Sequence, residues 1–163
     1  MCKGLYQIGP PCQLFMEGVV GINLPDPSNT RTIRFVVDTG ATGTIISATD
    51  AVRLGLSYDS DGCPSWDGKP LPYAGDATGV GGSLKLYRLD KTFLTLVSHD
   101  PDYGERHTEY VPSLLVAEAK YEDDSLLGMD LLQRFKFLAD SENNVVNFTR
   151  VPIKGSSYLV QHA

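Results

Sequence analysis

From Ile33 to Ile46 the chain reads IRFVVDTGATGTII, two apolar runs separated by Asp38-Thr39-Gly40-Ala41-Thr42-Gly43-Thr44. The β-branched and aromatic residues Ile33, Phe35, Val36, Val37, Ile45 and Ile46 favour extended backbone. One strand must therefore end at Asp38 and another begin within a few residues. A carboxylate without partners is costly to bury, so the fold must supply Asp38 with hydrogen-bond donors, a partner or water.

The remaining sequence repeats this rhythm of short β runs between turn residues, with 16 Gly and 10 Pro, and predicts an all-β class with little helix. LFMEGVVGIN, the turn PDPSNT and TRTIRFVVD predict a hairpin over 14–38. ATDAVRLGL predicts a short helix starting near Ser47 or Thr49 and ending near Gly55. Residues 57–76, rich in Gly, Pro and Asp, read as an exposed excursion, with Trp66 as its anchor on the body or as a subsite wall. ATGVGGSLKLYRLDKTFLTLV reads as a hairpin with a Gly-rich tip, Tyr73 near its base and a register break near Asp90–Lys91. TEYVPSLLVAEA is a further strand candidate. Leu127, Leu131, Leu132 and Phe135 fall at helical spacing, KFLAD and NVVNF predict a final hairpin, and SSYLVQHA predicts one more strand.

With 163 residues the simplest organisation is a single domain over 1–163. The formal charge of −6 argues against nucleic-acid and anionic-membrane partners, which need a basic face. No apolar run approaches a spanning helix, and the opening MCKGLYQIGPPCQLF lacks the charged-then-apolar pattern of a secretory leader. Cys2, Cys12 and Cys63 form no CxxC pair, so the expectation is three reduced thiols, a cytoplasmic protein and neither metal nor cofactor. His99, Asp100, Asp102, Glu105 and His107 match neither a zinc nor an EF-hand spacing, and they read as a solvated turn, as does Glu122-Asp123-Asp124.

Asp38-Thr39-Gly40 sets a carboxylate at a strand end beside a hydroxyl and a glycine, which suits a carboxylate held by backbone N–H groups in a turn. Taken alone, it also suits an ordinary Asp-initiated turn. The longer string Phe35 to Thr42, followed by Ile45 and Ile46, resembles the active-site signature of the retropepsin-like aspartic proteases. Two further elements follow in that family's order. Gly79-Val80-Gly81-Gly82 resembles the flap tip, and Leu126-Leu127-Gly128 resembles the apolar-apolar-Gly element that packs below the active site. TGVGGS lacks the ending of a phosphate-binding loop.

The resemblance spans about residues 16–150. It implies a retropepsin-like closed antiparallel β-barrel with a flap hairpin and one short C-terminal helix. It also implies Asp38 as the catalytic residue, with Thr39 bonding across a dimer axis, Gly40 contacting substrate backbone, and Ala41 and Thr42 shaping the loop, Thr42 on the outer Asp38 oxygen. Gly79, Val80, Gly81 and Gly82 would cover substrate, and Leu127 and Gly128 would support the site. Aspartic proteolysis needs two carboxylates sharing a proton, yet the chain has one D-T-G. The implied solution is a homodimer acting on peptide or protein substrates. The alternative is a retropepsin-like dimerisation or peptide-binding module with little turnover.

Overall fold

The computed structural model describes residues 2–7, 13–22, 30–79, 82–97, 105–140, 142–151 and 161–162. The expected early hairpin is present. Strands β2 (Gln13–Ile22) and β3 (Thr30–Val37) pair antiparallel with Met16 opposite Phe35, after a first strand β1 (Cys2–Gln7). Alternation decides what each face does: Met16, Val20, Ile33 and Phe35 are buried, while Arg34 points outward and covers the Phe15 ring at 4.4 Å.

After β4 (Ile45–Ile46) comes helix α1 (Ala48–Arg53), capped by the Ser47 side chain, which accepts from Asp50 N–H. It ends before Gly55 (φ +99), as expected from the sequence. The excursion is mostly exposed, as expected, but it carries regular structure of its own. Within it, β5 (Ser57–Tyr58), β6 (Pro64–Trp66) and β7 (Lys69–Pro70) form a separate three-stranded sheet. Its second hairpin turns at Asp67-Gly68, both at positive φ, the backbone that an Asp-Gly turn favours. Trp66 packs on the main core, which settles its role as an anchor.

Strands β8 (Tyr73–Gly79) and β9 (Gly82–Val97) form the long hairpin. The predicted register break is real: buried positions run Tyr87, Leu89 before it and Thr92, Leu94, Leu96 after it, and Lys91 between them has φ +56. β10 (Glu105–Ala117) runs antiparallel along β9. Next come β11 (Ser125–Leu127), the short helix α2 (Met129–Leu132), and the final hairpin of β12 (Phe135–Asp140) and β13 (Val145–Arg150). The helical spacing around α2 misleads at both ends, because Leu127 belongs to β11 and Phe135 opens β12. From the tail, only β14 (Gln161–His162) is described, paired with β10. The turn at 23–29 and the cluster His99, Asp100 and Asp102 lie outside the described residues.

The pairing path closes on itself: β2–β3, β3–β11, β11–β4, β4–β10, β10–β9 and β9–β2. All-β is correct, with an antiparallel majority and two parallel pairings, β3–β11 and β4–β10. One edge of β2 is shared, β1 lying along its first residues and β9 along its last. The core fills the ring, with Phe35, Phe148, Met16, Leu94 and Leu127 among its largest fully buried side chains.

Candidate active site

Asp38 follows directly on β3. Its amide donates to Leu127 O at 3.1 Å, continuing the β3–β11 ladder by one rung, so the strand delivers the carboxylate to the sheet's end. There the chain turns. Ala41 N–H donates to Asp38 O at 3.3 Å, and Gly40 N–H donates to Asp38 Oδ1 at 2.8 Å. A backbone amide on a carboxylate stabilises the charged form and fixes the side chain's direction. The Thr39 and Thr42 side chains are exposed; it is the Thr42 carbonyl that ties the loop down, by accepting from Asp130 N–H at 3.1 Å.

The floor beneath this loop is the Leu127-Gly128 element. Met129 N–H donates to Ala41 O at 2.8 Å, and Gly128 N–H donates to Thr44 Oγ1 at 3.1 Å. Thr44 is fully buried, and its hydroxyl donates to Asp130 Oδ1 at 2.7 Å, an oxygen that also accepts from Leu131 N–H. Gly128 is required here by contact: a Cβ would collide with the Gly43 carbonyl and lie 3.0 Å from Thr44 N.

A second network locks α1 to β11. Ser47 N–H donates to Ser125 Oγ at 3.0 Å, Ser125 Oγ donates to Asp50 Oδ2 at 2.7 Å, and Arg53 pairs with Asp50 Oδ1 at 2.7 Å. Ser125 is fully buried, so Ser125→Ala leaves a buried amide and a carboxylate oxygen without their partners. The expected loss is about 1–3 kcal/mol in urea unfolding, and a change below about 0.5 kcal/mol would refute this role. Thr44 and Ser125 belong to no motif, and Asp130, inside the run that follows Gly128, takes no role from the resemblance. Their signal in the sequence is faint: a hydroxyl beside an apolar pair, or an acid inside a leucine run.

The Asp38 loop forms one wall of a cleft of about 910 Å³. Asp38, Gly40, Ala41 and Thr42 line it from one side, and Gly79 and Gly82 of the β8–β9 hairpin line it from the other. Gly82 has φ +108, a conformation open to glycine at the hairpin's end. Val80 and Gly81 lie outside the described residues, while Thr39, Leu127 and Gly128 are not part of the lining. Apolar side chains of Ile45, Leu84, Leu86 and Leu126 make the cleft's deeper surface, continuous with a small buried cluster around Ala117. Tyr121 also faces in, and its phenol is pushed above its ordinary range by burial and then by the Asp123, Asp124 and Asp38 carboxylates. It therefore stays protonated at neutral pH, with its hydroxyl on Asp124 O at 3.1 Å.

Residues 28–66 match the family described as "gag-polyprotein putative aspartyl protease". No curated protein matches the chain. Among solved structures, a retropepsin-like aspartic protease from Rickettsia conorii is similar at 22% identity with a TM-score of 0.52, over 90% of this chain and 98% of that one. EIAV protease, solved with the inhibitor HBY-793, is similar at 18% identity with a TM-score of 0.44, over 74% of this chain and 86% of that one. The matched segment contains Asp38 and its whole loop, and the Rickettsia structure shares the fold over most of both chains. The chain thus has a retropepsin-like fold, and its residues 28–66, with Asp38 among them, match the model of an aspartyl protease family.

Proposed function

We propose that the chain is an aspartic endopeptidase that acts as a homodimer, each subunit contributing Asp38. The observation that carries this reading is the setting of Asp38: it reaches the cleft wall half-exposed, and among the described residues its carboxylate accepts one hydrogen bond, from Gly40 N–H. Two such carboxylates brought within about 3 Å cannot both ionise, so the pair holds one proton. The ionised member takes a proton from a water, whose oxygen bonds to the peptide carbonyl carbon. The protonated member gives its proton to the carbonyl oxygen. Collapse of the resulting diol breaks the C–N bond, and a proton passes to the departing amine. Water is the nucleophile, so this reaction asks for no metal or cofactor.

In this reading Thr39 bonds across the two-fold axis, Gly40 meets the substrate backbone, and Ala41 and Thr42 keep the loop's shape. The β8–β9 hairpin is the flap, with Gly79, Val80, Gly81 and Gly82 at its tip able to absorb the φ/ψ changes of opening. Leu127 and Gly128 hold the loop from below.

The test is cleavage of an unbiased peptide library between about pH 4 and about pH 8 at several protein concentrations. Specific activity should rise with concentration where subunits are mostly apart and level off once they are paired. Activity independent of dilution, from a chain shown to be monomeric, would remove the dimer. Silence at every pH from a folded dimer would favour a dimerisation or peptide-binding module.

A further inference from the structure

The β9–β10 ladder pairs its last residues at Leu86 and Ala117, yet the β9 arm of the hairpin continues outward past the cleft to Gly82. The next rung would join Lys85 to Glu118, and half of it exists: Glu118 N–H donates to Lys85 O at 3.0 Å. The other half is made differently. The Glu118 carbonyl is turned away, accepting from Tyr121 N–H at 3.0 Å to close the 118–121 turn. In its place the Glu118 carboxylate accepts from Lys85 N–H at 2.8 Å. One rung further out, Lys120 Nζ donates to Ser83 O at 3.1 Å and pairs with Glu118 Oε1 at 3.0 Å.

The turn carrying these side chains is itself anchored. Ala119 N–H donates to Gly62 O at 3.1 Å, and Tyr121 O accepts from Ala48 N–H at 2.8 Å. Ser83 and Lys120 both line the cleft. Beyond the Glu118 N–H to Lys85 O bond, strand pairing is thus continued by side chains, which can release the outer arm without unzipping the sheet.

We propose that Glu118 and Lys120 form a clasp that sets the height of the β8–β9 hairpin over the cleft. They are positioning residues, acting on substrate only through the hairpin. Lys85, Lys120 and the Tyr87 phenol are the titratable groups facing Glu118. Burial pushes the Glu118 carboxyl up, but the Lys85 amide and the Lys120 and Lys85 ammonium groups outweigh it and hold the carboxyl below its usual range. A lowered carboxyl keeps the clasp charged above the ordinary glutamate range and releases it as pH falls below that range.

The part of this inference that concerns catalysis rests on the protease reading; the clasp itself does not. Amide exchange should be compared between wild type, Glu118→Ala and Glu118→Gln. In Glu118→Ala the Lys85 amide should exchange about tenfold faster, with Ser83 and Leu84 following, while Leu89, opposite Leu114 inside the ladder, keeps its protection. Gln retains an acceptor and should restore much of the Lys85 protection. On a cleaved peptide, Glu118→Ala should raise KM about fivefold with a smaller change in kcat. Unchanged Lys85 exchange in the Ala variant overturns the clasp. Faster exchange with an unchanged KM overturns its reach to the cleft. A general loss of protection that includes Leu89 in both variants assigns Glu118 to global stability, and so also overturns the proposal. If wild type cleaves nothing, the protease reading fails separately, and exchange of the Lys85 amide decides the clasp.

Discussion

On the protease reading, Asp38→Asn is expected to lower peptide cleavage by at least about 10³-fold, with the fold and the proposed dimer intact. The substitution is nearly isosteric, and the Asn side-chain oxygen can still accept from Gly40 N–H at the 2.8 Å position now held by Asp38 Oδ1. What disappears is the ionisable proton site. Paired Asn residues can neither take a proton from water nor return one to the leaving amine, so chemistry is lost while geometry survives. The measurement is kcat/KM for one well-cut peptide, beside the melting temperature and sedimentation of both proteins. A variant that keeps a tenth of the activity would remove Asp38 from the reaction, and a pure peptide-binding module should keep its partner in the variant.

Gly128→Ala is expected to have the largest effect on stability, about 3 kcal/mol or more in urea unfolding. The atom that a Cβ would strike is the backbone carbonyl of Gly43, which no rotamer change can move aside. Relief requires β11 and the Asp38 loop to separate, which breaks the bonds from Met129 N–H to Ala41 O and from Gly128 N–H to Thr44 Oγ1. Activity should fall with stability, because the same loop presents Asp38. Gly79→Ala is the control: nothing lies within 4 Å of its Cβ position, so its stability should change by less than about 0.5 kcal/mol. Equal losses in the two variants would mean that close approach at Gly128 is not what the site depends on.

What the sequence made legible was local. The Asp38 loop, the helix start near Ser47 and the 14–38 hairpin follow from neighbouring residues, and Gly128 was readable through the resemblance as a support of the site. The phase change at Asp90–Lys91 was visible because a period-2 pattern slips by one residue there. Where a signal was ambiguous or non-local, the reading failed. Leu127, Leu131, Leu132 and Phe135 fit a helix, but runs this short also fit strand-turn-strand, and pairing of Leu127 beside Val37 decided the matter. The 57–76 segment was read as exposed, which most of its positions are, but its small sheet was missed because composition outweighed the Asp67-Gly68 turn that organises it. Thr44 and Asp130 lie 86 positions apart, and nothing in either neighbourhood announces the other. Glu118 takes up its place only because a turn withdraws its own carbonyl, a substitution visible only in three dimensions.

The position of β11 between β3 and β4 has a consequence for the order in which the protein becomes itself during synthesis. The segment bearing Asp38 leaves the ribosome before the strand that seats it, Ser125–Leu127, has been made. Until residues 125–130 emerge, β3 and β4 have an empty slot between them, and the Asp38 loop lacks the donors at Met129 and Asp130. Products of interrupted translation that stop short of this point carry the Asp38 loop without the strand and helix that seat it. Such a layout leaves the Asp38 loop unseated until residues 125–130 have been made, so in the protease reading any cutting power waits for them.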